Sequence, residues 1–307
     1  MGPNLTTRGP LADDVAAEVR TLATAATAAD GVPPLSEQPL LNLTAEHADV
    51  VHVLARDDAG TLVGYAQLDP AGDPPTAELV VAPAARRAGL GSALLDTLRG
   101  VAPGGLAVWA YGHGSSAHAF ADRHRLETVR ELFVMDRPLT GTETAPEPPD
   151  GFTVRTFTPG DADAWVALNA RAFAQHPEQG RLTRADLDAR LAEPWFRAED
   201  LLLVVGPDGP GSAAGPAGPG GLAAFVWTKV VGDDGELYVV AVDPDRQGHG
   251  LGHLLTRTAL AHLAARGARR ALLYVDGDNL RAVNVYRRAG FDLADRHVLA
   301  RTPADTR

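Results

Sequence analysis

Hydrophobic and polar positions along this chain follow the periods of strands and helices in turn. Continuous apolar runs such as "DLLLVVG" and "GELYVVAV" predict buried strands, and "DVVHVLARDDAGTLVGYAQLD" predicts a hairpin with its turn at Asp58–Gly60. Apolar residues spaced three and four apart in "GLGHLLTRTALAHLAARG" predict an amphipathic helix. Each half of the chain ends on the same predicted series of strand, helix, strand, helix and strand.

This shared order is an internal repeat of about 160 residues, which indicates two copies of one domain. The predicted fold class is α+β, with two tandem domains that each have a mixed central sheet flanked by helices. We place the domains at residues 1–137 and 152–307, joined by a Pro- and Thr-rich linker at 138–151. A Gly/Pro/Ala tract at 206–221 is expected to form a flexible surface loop inside the second domain.

Composition excludes several classes of protein. The 307 residues carry a net charge of −11, which argues against a general binder of nucleic acids or anionic membranes. There is no cysteine, so disulfides, thiolate metal sites and a cysteine nucleophile are excluded. No apolar run is long enough to span a bilayer, and the N-terminus lacks the apolar core of a signal peptide. We therefore expect a soluble, cytoplasmic monomer.

The strand-to-helix turns hold the clearest candidate chemistry. "QGHGLG" (247–252) and "RRAGLG" (86–91) precede equivalent helices, and glycines there would open a helix N-terminus to an anion. A P-loop is excluded because no Lys follows the last glycine. A dinucleotide fingerprint lacks its acidic residue, and a simple tight turn is weakened by the presence of two copies.

Gln247-x-x-Gly250-x-Gly252 and Arg86-x-x-Gly89-x-Gly91 resemble the diphosphate-binding loop of the GNAT family of N-acetyltransferases, and so does the order of elements in both halves. The resemblance implies acetyl-CoA as co-substrate and no metal. Its implied contacts in the second half are Val240, Ala241, Val242, Gln247, Gly248, His249, Gly250, Leu251, Gly252, His253, Asn279, Leu280, Arg281, Ala282, Val283 and Asn284. Those in the first half are Val80, Val81, Ala82, Ala88, Gly89, Leu90, Gly91, Ser92 and Ala93.

Acetyl transfer to an amine needs a base for the amine proton and an acid for the leaving thiolate. Counting back from the glycine loops places Glu236 opposite Pro75, with Glu78 pointing to the other face of its strand. Counting along the last helices places Tyr286 opposite Phe120. We therefore predict that the second domain is catalytic, with Glu236 as general base, through water, and Tyr286 as general acid. Whether the first domain holds acetyl-CoA, CoA or neither stays open.

Further stretches, including "PLSEQPLLNL", "NARAFAQHPEQGRLT" and "EPWFRAEDLLLV", resemble tandem members of the family that acetylate a cysteinyl-glucosaminyl-inositol. This small pseudodisaccharide is the implied acceptor, with its cysteinyl amine as the reacting group. The implied acceptor contacts are Glu37, Glu178, Lys229, Glu236 and Tyr274. "GRLT" stands where an aromatic-bearing run is expected, which weakens the contacts near Glu178.

Two other functions fit the same residues. One is a GNAT enzyme acting on another small amine, such as an aminoglycoside, or on a protein N-terminus. The other is a CoA-binding scaffold without turnover. His249 and His253 are spaced four apart, as metal ligands can be, but no third ligand accompanies them, so we expect both to be loop or surface residues.

Overall fold

The computed structural model describes residues 5–46, 49–112, 116–176, 179–207 and 221–302. The chain forms two compact units. Unit 1 comprises Met1–Leu132 and Asp295–Arg307, and unit 2 comprises Phe133–Ala294. Most of the Gly/Pro/Ala tract predicted at 206–221 lies outside the described residues.

Unit 1 is a sheet with helices on both faces. Its elements are β1 (Leu5–Arg8), α1 (Asp13–Asp30), α2 (Glu37–Asn42), β2 (Val51–Arg56), β3 (Leu62–Asp69), β4 (Thr76–Val81), α3 (Leu90–Val101), β5 (Ala107–Ala110), α4 (Ser116–Arg123) and the first part of β6 (Glu127–Pro138). Strands β1 to β4 are antiparallel neighbours, and β4 pairs in parallel with β5.

Unit 2 repeats this plan. Its elements are the end of β6, then β7 (Thr153–Thr156), α5 (Ala162–Ala172), α6 (Arg184–Leu191), β8 (Leu201–Val205), β9 (Leu222–Val231), β10 (Asp234–Val242), α7 (Leu251–Ala265), β11 (Arg270–Asp276), α8 (Leu280–Arg288) and the start of β12 (Asp292–Arg301). Strands β7 to β10 are antiparallel neighbours, and β10 pairs in parallel with β11. The predicted α+β class with mixed sheets is confirmed.

The last strands differ from the predicted domain boundaries. β12 pairs with β5, from Val298 opposite Ala110 to Arg301 opposite Ala107, so the C-terminal end of the chain belongs to unit 1. The end of β6 belongs to unit 2, where it lies beside β11. Apolar periodicity predicts that a segment is a strand, but it carries no information about which sheet the strand joins.

Helices α3 and α7 pack on equivalent faces of the two sheets. Leu94, Leu95 and Leu98 of α3 are fully buried, and the apolar stripe of α7 is buried in the same way around Leu255 and Leu263. Burial of such a stripe is the main contribution to the stability of a surface helix. These two helices hold the glycine loops that precede them in fixed positions at the ends of β4 and β10.

The strand register of unit 2 contains one extra residue that unit 1 lacks. Between β9 and β10 the register shifts at Tyr238, since Leu237 lies opposite Thr228 and Val239 lies opposite Trp227. This β-bulge turns both Tyr238 and Val239 to the face away from α7. The equivalent pair β3–β4 runs without a shift from Gly64 opposite Val81 to Asp69 opposite Thr76.

Candidate active site

The glycine loop of unit 2 is an open helix N-terminus. Gly248 and Gly250 have φ of +89° and +77°, and Gly250 caps α7 without a side-chain hydrogen bond. A Cβ added at Gly248, Gly250 or Gly252 would meet no atom within 4 Å. The first N–H groups of a helix lack acceptors within it, and the helix dipole is positive there. The loop therefore fits a diphosphate group of the kind that acetyl-CoA carries.

The start of α8 reaches this loop. Arg281 Nη1 donates to Gln247 Oε1 at 2.7 Å, and the Asn279 side chain caps α8 by accepting from the N–H of Ala282 at 3.1 Å. Leu280 is 67% exposed, whereas Val283 is buried in the core of unit 2. The predicted acetyl-CoA contacts at 247–253 and those at 279–284 thus lie next to each other. Val283 is an exception, because it faces the protein interior instead of a ligand.

Parallel strands β10 and β11 separate at the middle of the sheet. Their register extends only from Asp234 opposite Arg270 to Glu236 opposite Leu272, in strands that the structure describes throughout. Beyond Glu236, the β11-facing edge of β10 at Val240–Val242 is left without a strand partner. An extended amide chain can add to such an edge through backbone hydrogen bonds, so this edge fits the pantetheine arm of acetyl-CoA.

Glu236 lies where the two strands part, on the face of the sheet opposite α7. It is directly opposite Lys229 on β9, and cross-strand partners share a face. On β11, Ala271 and Leu273 face the α7 side, so alternation places Tyr274 on the same face as Glu236. Three of the predicted acceptor contacts, Lys229, Glu236 and Tyr274, therefore share one face.

An aromatic wall surrounds Lys229. Its Nζ lies 4.3 Å from the centroid of the Trp195 ring and 5.3 Å from that of Tyr238, within the range of cation–π attraction. Arg190 Nε donates to the Tyr238 hydroxyl at 2.9 Å. Neither Tyr238 nor Arg190 was predicted as a site residue, because the bulge that turns Tyr238 to this face has no signal in the apolar pattern.

Tyr286 approaches from the α7 face. It packs against the core of unit 2, with its ring centroid 6.0 Å from that of Phe291. Burial raises the pKa of Tyr286 to about 12, although the residue keeps partial exposure. Among the described residues its hydroxyl has no hydrogen-bond partner. A phenol that stays protonated at neutral pH and has a free hydroxyl can donate a proton.

We predict that Tyr286→Phe lowers kcat about a hundredfold, the lower end of the range for general acid–base catalysis, because the departing thiolate loses its proton donor. The ring is retained, so the free energy of unfolding should change by less than about 1 kcal/mol. Steady-state kinetics with acetyl-CoA and an amine acceptor measure the effect, and thermal unfolding provides the control. An unchanged kcat would exclude Tyr286 as the acid.

The residue of unit 1 that corresponds to Tyr286 is Ala121, and the predicted pairing with Phe120 was wrong by one position. The turns that end α4 and α8 close with the same hydrogen bond, from Leu126 N to Ala121 O and from Phe291 N to Tyr286 O. The alignment counted along the two helices was one residue out of register with the turns that end them. Unit 1 therefore lacks not only the hydroxyl but the whole ring at this place.

The counterpart of Glu236 was also misplaced. Glu236 pairs with Lys229, and the same place in unit 1 pairs Thr76 with Asp69, so Thr76 and not Pro75 corresponds to Glu236. Glu78 lies on the face away from α3, which corresponds to the face that Glu236 occupies in unit 2. The prediction placed Glu78 on the opposite face of its strand, and it was wrong. The reason is the bulge at Tyr238, which β4 lacks and which shifts the alternation of β10 by one residue.

Glu78 is buried and already holds several donors. It accepts hydrogen bonds from Ser36 N at 2.6 Å, Ser36 Oγ at 2.7 Å and the Tyr111 hydroxyl at 2.7 Å. Tyr111 follows β5, so this last bond links the two strands of unit 1 that correspond to β10 and β11. Glu78 thereby fixes the start of α2, where the predicted acceptor contact Glu37 lies, and a structural role explains its burial.

Side chains of unit 1 restrict its own glycine loop. Arg86 forms two hydrogen bonds of 2.7 Å with the carboxylate of Asp30, and Ser92 Oγ lies 2.9 Å from His124 Nε2. Arg87 adopts a φ of +64° where unit 2 has Gly248. A Cβ at Gly91 would lie 3.2 Å from the Phe120 ring. The loop keeps the helix N-terminus at Gly89, but it is less open than that of unit 2.

Glu178 lies outside the described residues, and only its surroundings can be given. Gln179 N donates to His176 Nδ1 at 3.0 Å, and Asn169 Nδ2 donates to Gln179 O at 2.7 Å. His176 Nε2 is 3.7 Å from a carboxylate oxygen of Asp276, which ends β11.

Two other features bear on function. Within the described ranges, no three His, Asp or Glu side chains are arranged to hold a metal ion. His249 places a ring nitrogen 3.2 Å from Arg246 O, and His253 is exposed on α7. No helix in the described part of the chain has the length and apolarity to cross a membrane.

Comparison with known proteins agrees with this geometry. The acetyltransferase (GNAT) family model matches residues 171–291, and a second GNAT domain model matches residues 48–124. Mycothiol acetyltransferase from Catenulispora acidiphila is 47% identical, with 92% of this chain and 94% of that protein covered. The one from Streptomyces coelicolor is 45% identical, with 92% and 90% covered. A tandem GNAT protein from the clavulanic acid biosynthesis pathway has a TM-score of 0.70 at 20% identity, covering 99% of this chain and all of that one.

The open helix end, the parted strands and these matches define an acyltransferase of the GNAT class. The chain belongs to the GNAT family and, within it, to the tandem-domain mycothiol acetyltransferases. It is an N-acetyltransferase, and enzymes of this family use acetyl-CoA as co-substrate.

Proposed function

We propose that the chain transfers acetyl from acetyl-CoA to the cysteinyl amine of cysteinyl-glucosaminyl-inositol, giving mycothiol and CoA. The observation that carries the proposal is the division of unit 2 into two faces. The glycine loop and Tyr286 lie on the α7 side, and Glu236, Lys229 and Tyr274 lie on the other. The gap between β10 and β11 joins the two faces, so a thioester and an amine can meet there.

The chemistry assigned to the residues is simple. Acetyl-CoA supplies an activated acetyl group. The neutral amine nitrogen forms a bond to the acetyl carbon, and the carbon–sulfur bond breaks. Glu236 takes the amine proton through water, and the Tyr286 hydroxyl gives a proton to the leaving sulfur. A free α-amine has a pKa near about 7.7–8.0, so a carboxylate is a sufficient base at neutral pH.

The polar acceptor suits the face around Glu236. A protonated amine is attracted to a carboxylate before it loses its proton, and sugar hydroxyls need hydrogen-bond partners and stacking surfaces. Lys229, which lies over the Trp195 ring, offers a hydrogen-bond donor. The exposed Tyr274 offers a hydroxyl and a ring on which a sugar can stack. Glu37 and Glu178 are proposed as further acceptor contacts from the family resemblance alone. Cytoplasmic localisation and a monomeric state stay predictions.

The first half is proposed to be non-catalytic. At the places of Glu236 and Tyr286 it carries Thr76 and Ala121, neither of which can serve as base or acid. Glu78, two residues beyond Thr76 on the same face of β4, is occupied by Ser36 and Tyr111.

The test is the rate of CoA release with four acceptors at saturating acetyl-CoA. They are cysteinyl-glucosaminyl-inositol, the same compound without its cysteinyl group, an aminoglycoside and a peptide with a free N-terminus. We expect kcat/KM to favour the cysteinyl compound by at least about a hundredfold, which corresponds to about 2.7 kcal/mol of transition-state binding. Preference for the aminoglycoside or the peptide would assign another acceptor. Acetyl-CoA binding without release in any reaction would favour the scaffold.

A further inference from the structure

Unit 2 contains a cationic groove of about 320 Å³ beside the glycine loop. Three positions of α7, His253, Arg257 and Leu260, form one wall, with the spacing of a single helix face. Arg288 and Ala289, at the end of α8, form another. The segment from Arg137 to Thr144 closes the third side. The function described so far uses none of these arginines.

The one carboxylate that lines the groove, Glu143, is already paired with donors of its own segment. Glu143 accepts from the backbone N–H of Thr140 at 3.0 Å and of Gly141 at 2.9 Å, and from Arg137 Nη2 at 3.3 Å. Burial alone would raise its pKa, but these hydrogen bonds outweigh burial and lower the pKa, so Glu143 stays ionised. Arg137 also donates to Ala289 O. Glu143 and Arg137 therefore build the wall of the groove together.

Two guanidinium groups are left for a ligand. Arg288 has no hydrogen bond or ion pair among the described residues, and Arg257 has only a 3.4 Å contact from Nη2 to Thr144 O. The Thr140 and Thr142 hydroxyls also line the groove, but they lie 2.8 Å from each other and Thr140 Oγ1 donates to Glu143 Oε1 at 3.2 Å. The arginines are therefore the groups that can bind a ligand here, and converging arginines are typical of phosphate sites. Such a local excess of positive charge is notable in a chain with a net charge of −11.

The groove continues the proposed acetyl-CoA site. His253 is in the first turn of α7, directly after the loop, and Arg257 follows one turn later. At 1.5 Å per residue, Arg257 lies roughly 10 Å along the helix from Gly250. Acetyl-CoA carries a ribose 3′-phosphate on the far side of its diphosphate from the thioester. We propose that Arg257 and Arg288 bind this 3′-phosphate, an inference that rests on acetyl-CoA use by unit 2.

The test compares acetyl-CoA with acetyl-3′-dephospho-CoA by isothermal titration calorimetry on the full chain. In the wild type, loss of the 3′-phosphate should weaken the unit 2 site about tenfold to hundredfold, as expected for charge-assisted hydrogen bonds. Arg257→Ala and Arg288→Ala should weaken acetyl-CoA binding by a similar factor and leave acetyl-3′-dephospho-CoA binding unchanged. Arg184→Ala on α6, whose guanidinium pairs with Asp163 and Asp188, is the matched control and should behave as the wild type.

The outcomes separate this inference from the proposed function. Equal binding of the two thioesters by the wild type, or equal weakening of both by Arg257→Ala, would overturn the 3′-phosphate site and leave acetyl-CoA use intact. Absence of binding by either thioester would overturn both. Adenosine 3′,5′-bisphosphate and inorganic phosphate are the competitor probes. Competition that requires the nucleotide supports the proposal, and equal competition by inorganic phosphate would contradict it.

Discussion

Glu236→Gln is expected to lower kcat about a hundredfold to ten-thousandfold, the range for removal of a general base. Glutamine keeps the shape of the side chain but cannot take a proton at neutral pH. Glu236 is partly exposed at the point where β10 and β11 part, so the substitution creates no cavity in the core. The dissociation constant for acetyl-CoA should stay within about twofold of the wild type.

This split between kcat and acetyl-CoA affinity is what distinguishes a base from a structural carboxylate. Glu199→Gln is the matched control, because Glu199 is exposed and pairs only weakly, at 3.3 Å, with Arg266. It should leave kcat unchanged. If Glu236→Gln weakened acetyl-CoA binding as much as it lowered kcat, the base would have to be sought elsewhere in unit 2.

Much of the plan of the molecule follows from its sequence. Apolar residues three and four apart predicted α3 and α7, alternating and continuous apolar runs predicted most strands, and two glycine motifs predicted two helix N-termini open to anions. These signals are local, so they can be interpreted from the sequence without knowledge of tertiary contacts. The short elements β1 and α2 were missed because four and six residues hold too little periodicity.

The predictions that were wrong concerned features that depend on a single extra residue or on a strand partner far away in the sequence. The bulge at Tyr238 adds one residue to β10 and reverses its alternation, so counting back from the glycine loop placed Glu78 on the wrong face. The exchange of the last strands between the two units, with β12 beside β5, is equally invisible to periodicity. Arg257 and Arg288 were missed because an exposed arginine on a helix gives no signal until a neighbouring segment encloses it.

The two glycine loops offer a matched pair of variants. Gly250 and Gly89 both cap a helix, with φ of +77° and +84°, and a Cβ at either would meet no atom within 4 Å. Valine at either position therefore imposes a similar backbone strain, about 1–2 kcal/mol, so any difference in activity reports function. At Gly250 the branched side chain would also occupy the approach to the first N–H groups of α7, where the diphosphate of acetyl-CoA is proposed to bind.

The measurement that tests the central claim most directly is therefore CoA release by Gly250→Val and Gly89→Val, with thermal unfolding as the check on folding. If unit 2 performs the transfer, kcat/KM for acetyl-CoA should fall at least about a hundredfold in Gly250→Val, which is the loss of about 2.7 kcal/mol of binding to the transition state. Gly89→Val should stay within about threefold of the wild type. Loss of transfer in Gly89→Val with normal turnover in Gly250→Val would place catalysis in unit 1 and contradict the account.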